Sequence, residues 1–372
     1  MSDTQRKLAL LGAIVLIVGV IYLLQDQSAK PQNTTAENKT TDTVATKNSD
    51  KEKLYTAAKE LIEPNGYLNT NSITISELIG KKVILVDFWT YSCINCQRTT
   101  PYLNSWYEKY KDAGFEIIGV HTPEFEFEKK YENVQRAIEK FEIKYPVVQD
   151  NEYKTWQAYG NRYWPRKYLI DIDGYIVYDH IGEGAYEETE EKIREALKEK
   201  SERLGEESNL NMPLTSNPVT TNKAASPEVY FGSNRNELLS NGTKKVNGKQ
   251  ILRAPTSTRP NSLYLVGSWD IQNEYAKNES ALAKVEFTYK AQNVYTVASG
   301  SKEIIVEVRR DNKPLTKDTA GSDIYFENEK SFVKINEEQL YDLIKDTSES
   351  NQHSITLIPQ DAGMKIFTFT FG

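Results

Sequence analysis

The chain carries only two cysteines, and the stretch "VDFWTYSCINCQRTTP" at 86–101 holds both, Cys93 and Cys96, two residues apart. Such a pair can be a structural staple, a metal clamp or a redox couple. Two cysteines are too few for a disulfide-built scaffold, so the core must be ordinary hydrophobic packing and the pair needs a chemical reason. A structural zinc takes four ligands, and a chain with no other cysteine and three histidines offers few. The redox reading fits the spacing. An apolar run precedes the pair and helical spacing follows it, which puts Cys93 at a helix N-terminus. There unpaired N–H groups and the helix dipole favour a thiolate nucleophile. Cys96 lies one turn further on the same face, where it can attack a mixed disulfide on Cys93 and act as the resolving thiol.

The elements that must position this pair are readable between 51 and 205. "KVILVDFW" is a continuous buried strand, 94–111 a helix, "FEIIGVHT" a second strand and 127–141 an amphipathic helix, an order that implies parallel strands in a covered sheet. After a short apolar stretch at 146–148, "KYLIDIDGYIVYDHIG" reads as a hairpin turning at Asp173-Gly174, and a helix over 187–204 closes the unit. Residues 206–226 carry turn formers without a period and read as a linker. From 227 to 372 the texture is short strands. "KEIIVEV" and "MKIFTFTF" alternate, with Phe367, Phe369 and Phe371 on one face, and "LYLVGSW", "VEFTYKA" and "SITLIP" are similar. A helical turn or two is expected at "EEQLYDLIKD", inside what reads as an all-β sandwich or jelly roll.

Composition narrows the partners and the compartment. A chain of 372 residues, 38 % hydrophobic, can bury more than one core, and its net charge of −7 comes from mixed acids and bases without a basic stripe, so nucleic acid is not an expected partner. The uncharged apolar run 8–24, after Arg6 and Lys7, reads as a transmembrane anchor with residues 1–7 in the cytosol. The polar stretch 25–50 cannot bury enough surface to fold and reads as a disordered tether. The expected location is the cell membrane, single-pass, with the soluble domains outside the cytoplasm.

The motifs "VDFWTYSCINC", "GVHTPEFEFEK", "GNRYWPRKYLIDIDG" and "GEGAYEETE", in that order, resemble the thioredoxin-like region of DipZ-type, TlpA-related thiol:disulfide oxidoreductases. The tail from "SPEVYFG" to "FTFTFG" is similar to the C-terminal module of the same family. The resemblance implies an α/β thioredoxin-like domain, a central mixed sheet with flanking helices, followed by the β-rich domain. It implies thiol-disulfide exchange through a Cys93–Cys96 disulfide with no other cofactor and no metal. Asp87, six residues before Cys93, matches a buried carboxylate beneath the pair that would accept the proton of Cys96. Trp89 would pack below the pair. Pro165, after Trp164, matches the cis-proline facing the cysteines across a client groove, to which Tyr91 and Asn95 also belong. His121, Glu124 and Glu183 stand in family-like motifs as possible supporting residues, and Pro101 matches a proline within the first helix.

By the same resemblance the partners are proteins bearing disulfides or thiols. Ile94-Asn95 between the cysteines lacks the proline of ordinary thioredoxin, so the potential does not transfer, and reduction or isomerisation is expected ahead of oxidation. A single anchor in place of a polytopic domain implies a separate membrane electron donor of DsbD/CcdA type. Three other readings stay open. Thr90-x-x-Cys93 echoes a peroxiredoxin-like thiol peroxidase, although Val86 stands where that pattern needs proline. The sandwich could carry an envelope or glycan-binding function through Trp269, Tyr275 and Tyr295. Cys93, Cys96 and His121 could carry Cu(I).

Overall fold

The computed structural model describes residues 50–207, 210, 212–216, 224–281, 283–346 and 351–372. The expected anchor at 8–24 and the tether up to 49 lie outside the described residues. Among the described residues no helix is long and apolar enough to cross a membrane.

Seven strands form the first sheet: β1 Thr56–Ala57, β2 Gly66–Leu68, β3 Val83–Trp89, β4 Phe115–His121, β5 Val147–Gln149, β6 Arg166–Ile170 and β7 Tyr175–Ile181, ordered β1-β7-β6-β3-β4-β5-β2. The inner strands β3, β4 and β5 are parallel, and β6 and β7 form the antiparallel hairpin expected around Asp173-Gly174. The short edge strands β1 and β2 were not legible, being too brief to show a period. Helices α1 Ile94–Tyr110, α2 Tyr131–Lys140 and α3 Tyr186–Leu204 cover the sheet. The helix expected over 127–141 is divided, with one 3₁₀ turn at Glu126–Lys129 and extended backbone at Lys130 before α2 begins.

Every residue of β3 is buried because both faces of the sheet are covered. Val83, Leu85 and Trp89 join the core beneath α1 and α3, while Ile84, Val86 and Phe88 join the opposite core with Ile118, Val120 and Tyr168. Side chains alternate along a strand, so Asp87 must point to the α1 face, below the cysteines.

The C-terminal region is all strand and packs as two sheets joined by one long strand. The first half of Leu263–Ile271 pairs with Lys284–Lys290, and its second half with Gly248–Leu252 and Ala276–Asn278. The handover falls at Gly267, whose φ of +96° favours glycine and whose Cβ, were there one, would lie 3.1 Å from Ala283 Cα. Trp269, Phe287, Val306, Leu343 and Phe369 lie in the core of this region.

Two bulges depart from the expected alternation. The segment expected to hold a helical turn is the strand Gln339–Lys345, paired with Asn293–Gly300. There Val294 opposes Ile344 and Tyr295 opposes Asp342, leaving Leu343 as an extra residue. That insertion spaces Leu340, Leu343 and Ile344 like one face of a helix, which explains the misreading. Along Met364–Phe371, Val297 opposes Thr368 and Ala298 opposes Ile366, so Phe367 is the extra residue. Phe367 therefore does not share the face of Phe369 and Phe371. Its ring packs 4.8 Å from Phe127 and 5.3 Å from Phe125, and with Leu340 and Val297 it completes the core beneath α1.

Of the expected linker, residues 212–215 lie against α1 and α3. Glu190, 1 % exposed, accepts from Thr215 N at 2.7 Å, Trp106 Nε1 at 3.0 Å and Tyr110 Oη at 2.7 Å, and pairs with Lys109 at 2.9 Å. Four donors on one buried carboxylate hold the strap to the redox domain.

Candidate active site

Cys93 is the N-cap of α1, with extended backbone and no side-chain cap, and Cys96 sits in the first turn. Both are free thiols; Cys93 is half-buried and Cys96 is buried. The Cys93 Sγ lies 3.9 Å from the carbonyl oxygen of Trp164, and the Trp164–Pro165 peptide is cis. The Trp164 indole donates to the Thr122 carbonyl at 3.0 Å and rests 4.4 Å from Trp156, so the segment facing Cys93 is fixed by its own side chain. Asn95, between the two cysteines in sequence, is half-buried.

Beneath the pair, Asp87 is 2 % exposed and its Oδ1 has no hydrogen-bond partner among the described residues. Burial pushes its carboxyl up to about 7, against a downward pull from Lys167. Lys167 opposes Asp87 directly in the β3–β6 register; it is fully buried and donates to the Gly182 carbonyl at 3.1 Å. Burial draws its ammonium down, while Asp87, Cys96 and Glu183 draw it up. Cys96 is raised well above an ordinary thiol by burial, by its hydrogen bond and proximity to Cys93, and by the charge of Asp87. The two groups thus share one buried, electrostatically linked environment beneath Cys93.

Trp89 is buried in the core that also holds Cys96, and Gly119 leaves the room: a Cβ there would stand 3.0 Å from the indole Nε1. Tyr91, expected in the groove wall, is instead buried, stacked on His121 at 5.7 Å, and donates to the Glu338 carbonyl of the C-terminal region at 3.1 Å. His121 is itself buried, which pulls its pKa down to about 3 and leaves a neutral ring at physiological pH. It is an aromatic plate between Tyr91 and Trp89, not a cation beside the thiolate. Glu124 accepts from Arg235 and from the Tyr230 hydroxyl, each at 2.8 Å, and Glu183 faces Arg98 at 3.3 Å. Neither is hydrogen-bonded to a cysteine among the described residues.

Two residues that sequence reasoning missed complete the site. Lys167 had a signal, a lysine at an inward position of a buried strand two residues after Pro165. Glu128 lies within the motif "GVHTPEFEFEK", but its charged surroundings read as an ordinary exposed helix. Fully buried, Glu128 accepts from Ser92 Oγ at 2.6 Å, Ser92 N at 3.3 Å, Glu124 N at 2.6 Å and Phe125 N at 3.0 Å. It thereby ties the residue before Cys93 to the loop after β4. Burial raises its carboxyl to about 7 in spite of those donors.

Trp269 is fully buried, with its indole bonded to the Val266 carbonyl at 2.9 Å, and so is not exposed to stack on a sugar. Thr90 is fully buried, with its Oγ1 3.5 Å from His121 Nε2.

The sequence has counterparts among known proteins. A family model described as Redoxin matches residues 45–197, and one described as Thioredoxin like C-terminal domain matches residues 226–372. Protein DipZ of Mycobacterium tuberculosis is 38% identical over 269 residues, 71% of this chain and 38% of that protein, so the chain spans well under half the length of the DipZ proteins it matches. The thiol-disulfide oxidoreductase ResA of Halalkalibacterium halodurans is 37% identical over 131 residues, 35% of this chain and 70% of that protein. A thioredoxin-like protein in its oxidised form, solved in solution, aligns at a TM-score of 0.37 and 27% identity, covering 40% of this chain and 98% of that one. With a half-exposed cysteine capping a helix, its partner buried one turn on, and those matches in order along the sequence, the chain belongs to the thioredoxin-like thiol-disulfide oxidoreductases.

Proposed function

We propose that the chain is a membrane-anchored, extracytoplasmic enzyme that reduces or isomerises disulfides in client proteins through the Cys93/Cys96 couple, with no cofactor beyond that disulfide. The observation that carries the reading is the unequal burial of two free thiols above one buried carboxyl. The Cys93 thiolate attacks one sulfur of a client disulfide; an S–S bond forms to Cys93, and the other client sulfur leaves and takes a proton. Asp87 then accepts the Cys96 proton. The Cys96 thiolate attacks Cys93 Sγ, the Cys93–Cys96 disulfide forms, and the second client sulfur is released as a thiol. Two electrons and two protons have passed to the client, and a separate membrane dithiol of DsbD/CcdA type restores the pair.

The ResA relative bears the name of a thiol-disulfide oxidoreductase, and its likeness to this chain supports the assignment. The apolar run at 8–24 supports the anchor and the extracytoplasmic location. Insulin turbidity with dithiothreitol tests the activity. The soluble chain should accelerate precipitation catalytically, and rapid consumption of hydrogen peroxide without insulin reduction would favour a peroxidase instead.

A further inference from the structure

Beside the thiols, a cleft of about 320 Å³ opens between the two halves of the molecule. Trp164, Tyr153 and Glu124 line it from the redox domain, and Tyr230, Arg235 and Glu274 from the C-terminal region. Trp164 joins the cleft to the chemistry, because its carbonyl lies 3.9 Å from Cys93 Sγ while its side chain forms a wall. An extended client chain advances about 3.3 Å per residue. A client cysteine at Cys93 therefore sends a side chain one or two positions away past Trp164 and into this space.

The walls are made for a cation. The cleft already holds the guanidinium of Arg235, 3.6 Å from the Tyr230 ring and 2.8 Å from Glu124 Oε1, so aromatic faces and carboxylate act together there. That one cation does not balance the acids. Glu274 lines the same cleft, its Oε2 bonded to Glu126 N at 3.0 Å. Two carboxylates, Glu124 and Glu274, line the cleft with one guanidinium. Resting on the client-reduction reading above, we infer that this cleft selects client segments bearing a lysine or arginine next to the reactive cysteine, and that Glu274 of the C-terminal region is a specificity-determining residue.

The test uses two disulfide-linked peptide dimers identical except for lysine or glutamate two residues from the cysteine, with kcat/KM of reduction as the readout at low ionic strength. Wild-type protein should prefer the lysine peptide by about fivefold, the effect of a part-exposed ion pair. Glu274→Lys should abolish or reverse that preference. Asn234→Lys, on the same cleft without the bond to Glu126, should shift it the same way and decides the matter if the first variant fails to fold. Equal rates for the two peptides with wild-type protein, or a preference that neither variant moves, would overturn the inference. Reduction of hydroxyethyl disulfide by the wild-type dithiol reports separately on the redox reading: its absence sinks that reading, whereas its presence with indifferent peptides sinks only this one.

Discussion

Cys96→Ser should leave the first attack intact and arrest the protein as a covalent adduct with its clients, while Cys93→Ser should form no adduct. Cys93 is the thiol within reach: it is half-buried at the start of α1, whereas Cys96 is buried and its thiol is held well above the ordinary range. Only a thiol that a client sulfur can approach can begin the exchange, and only a second thiol on the same helical face can end it. Turnover should fall on the order of 10³-fold or more in either variant, because nucleophile and resolving group act as one unit. The two differ in what accumulates. Reducible adducts on non-reducing gels should appear with Cys96→Ser alone, and brief alkylation of wild-type protein should label Cys93 before Cys96. Adducts on Cys93→Ser would reverse the assignment.

Asp87→Asn should separate resolution from attack and also change stability, with the sign fixed by the direction of the shift. Resolution needs the carboxylate, so in wild-type protein its rate should climb with pH and level off above about 7, where Asp87 ionises. Asparagine removes that limb, and resolution should slow by roughly 10²-fold, the lower range for a positioned base. Stability moves the other way. The folded carboxyl titrates near 7 against an ordinary 3.8, so between those values the folded state keeps a proton that the unfolded chain has lost. That contribution is complete below the unfolded value and disappears as pH rises through the folded one. A neutral amide avoids the buried charge, and Asp87→Asn should be more stable than wild type at pH 8 by on the order of 2–4 kcal/mol, with the gain shrinking towards pH 4. Urea denaturation at both pH values measures it, and an unchanged or lowered stability at pH 8 would mean that Lys167 fully compensates the charge.

The sequence showed those parts of the site that depend on local order. A cysteine pair after a buried run fixes a helix cap, and strand alternation sends Asp87 to the face beneath α1. The motif around Trp164-Pro165 marked the segment that faces Cys93. What escaped depends on residues distant in sequence or on broken periods. Lys167 matters because β6 lies antiparallel beside β3 in one register, and nothing near either residue declares that register. Tyr91 looks like a groove aromatic until Glu338, far along the chain, supplies a carbonyl for its hydroxyl. Phe367 and Leu343 misled for a common reason: a bulge adds one residue, turns a side chain to the other face and leaves the composition of the strand unchanged. The bulge in Met364–Phe371 sends Phe367 onto Phe125 and Phe127, so the two regions share a core that neither half shows on its own.

The redox equilibrium of the Cys93/Cys96 couple tests the central claim most directly. Wild-type protein equilibrated across a graded thiol-disulfide buffer, quenched with acid and alkylated, is read by mass spectrometry as the fraction with both thiols free. The account predicts one two-electron transition in which Cys93 and Cys96 change together, at a potential well below the about −120 mV of a strong disulfide oxidant. A transition near about −120 mV would mark an oxidant and contradict the proposed direction. Loss of Cys93 labelling without any Cys93–Cys96 disulfide would contradict the couple itself.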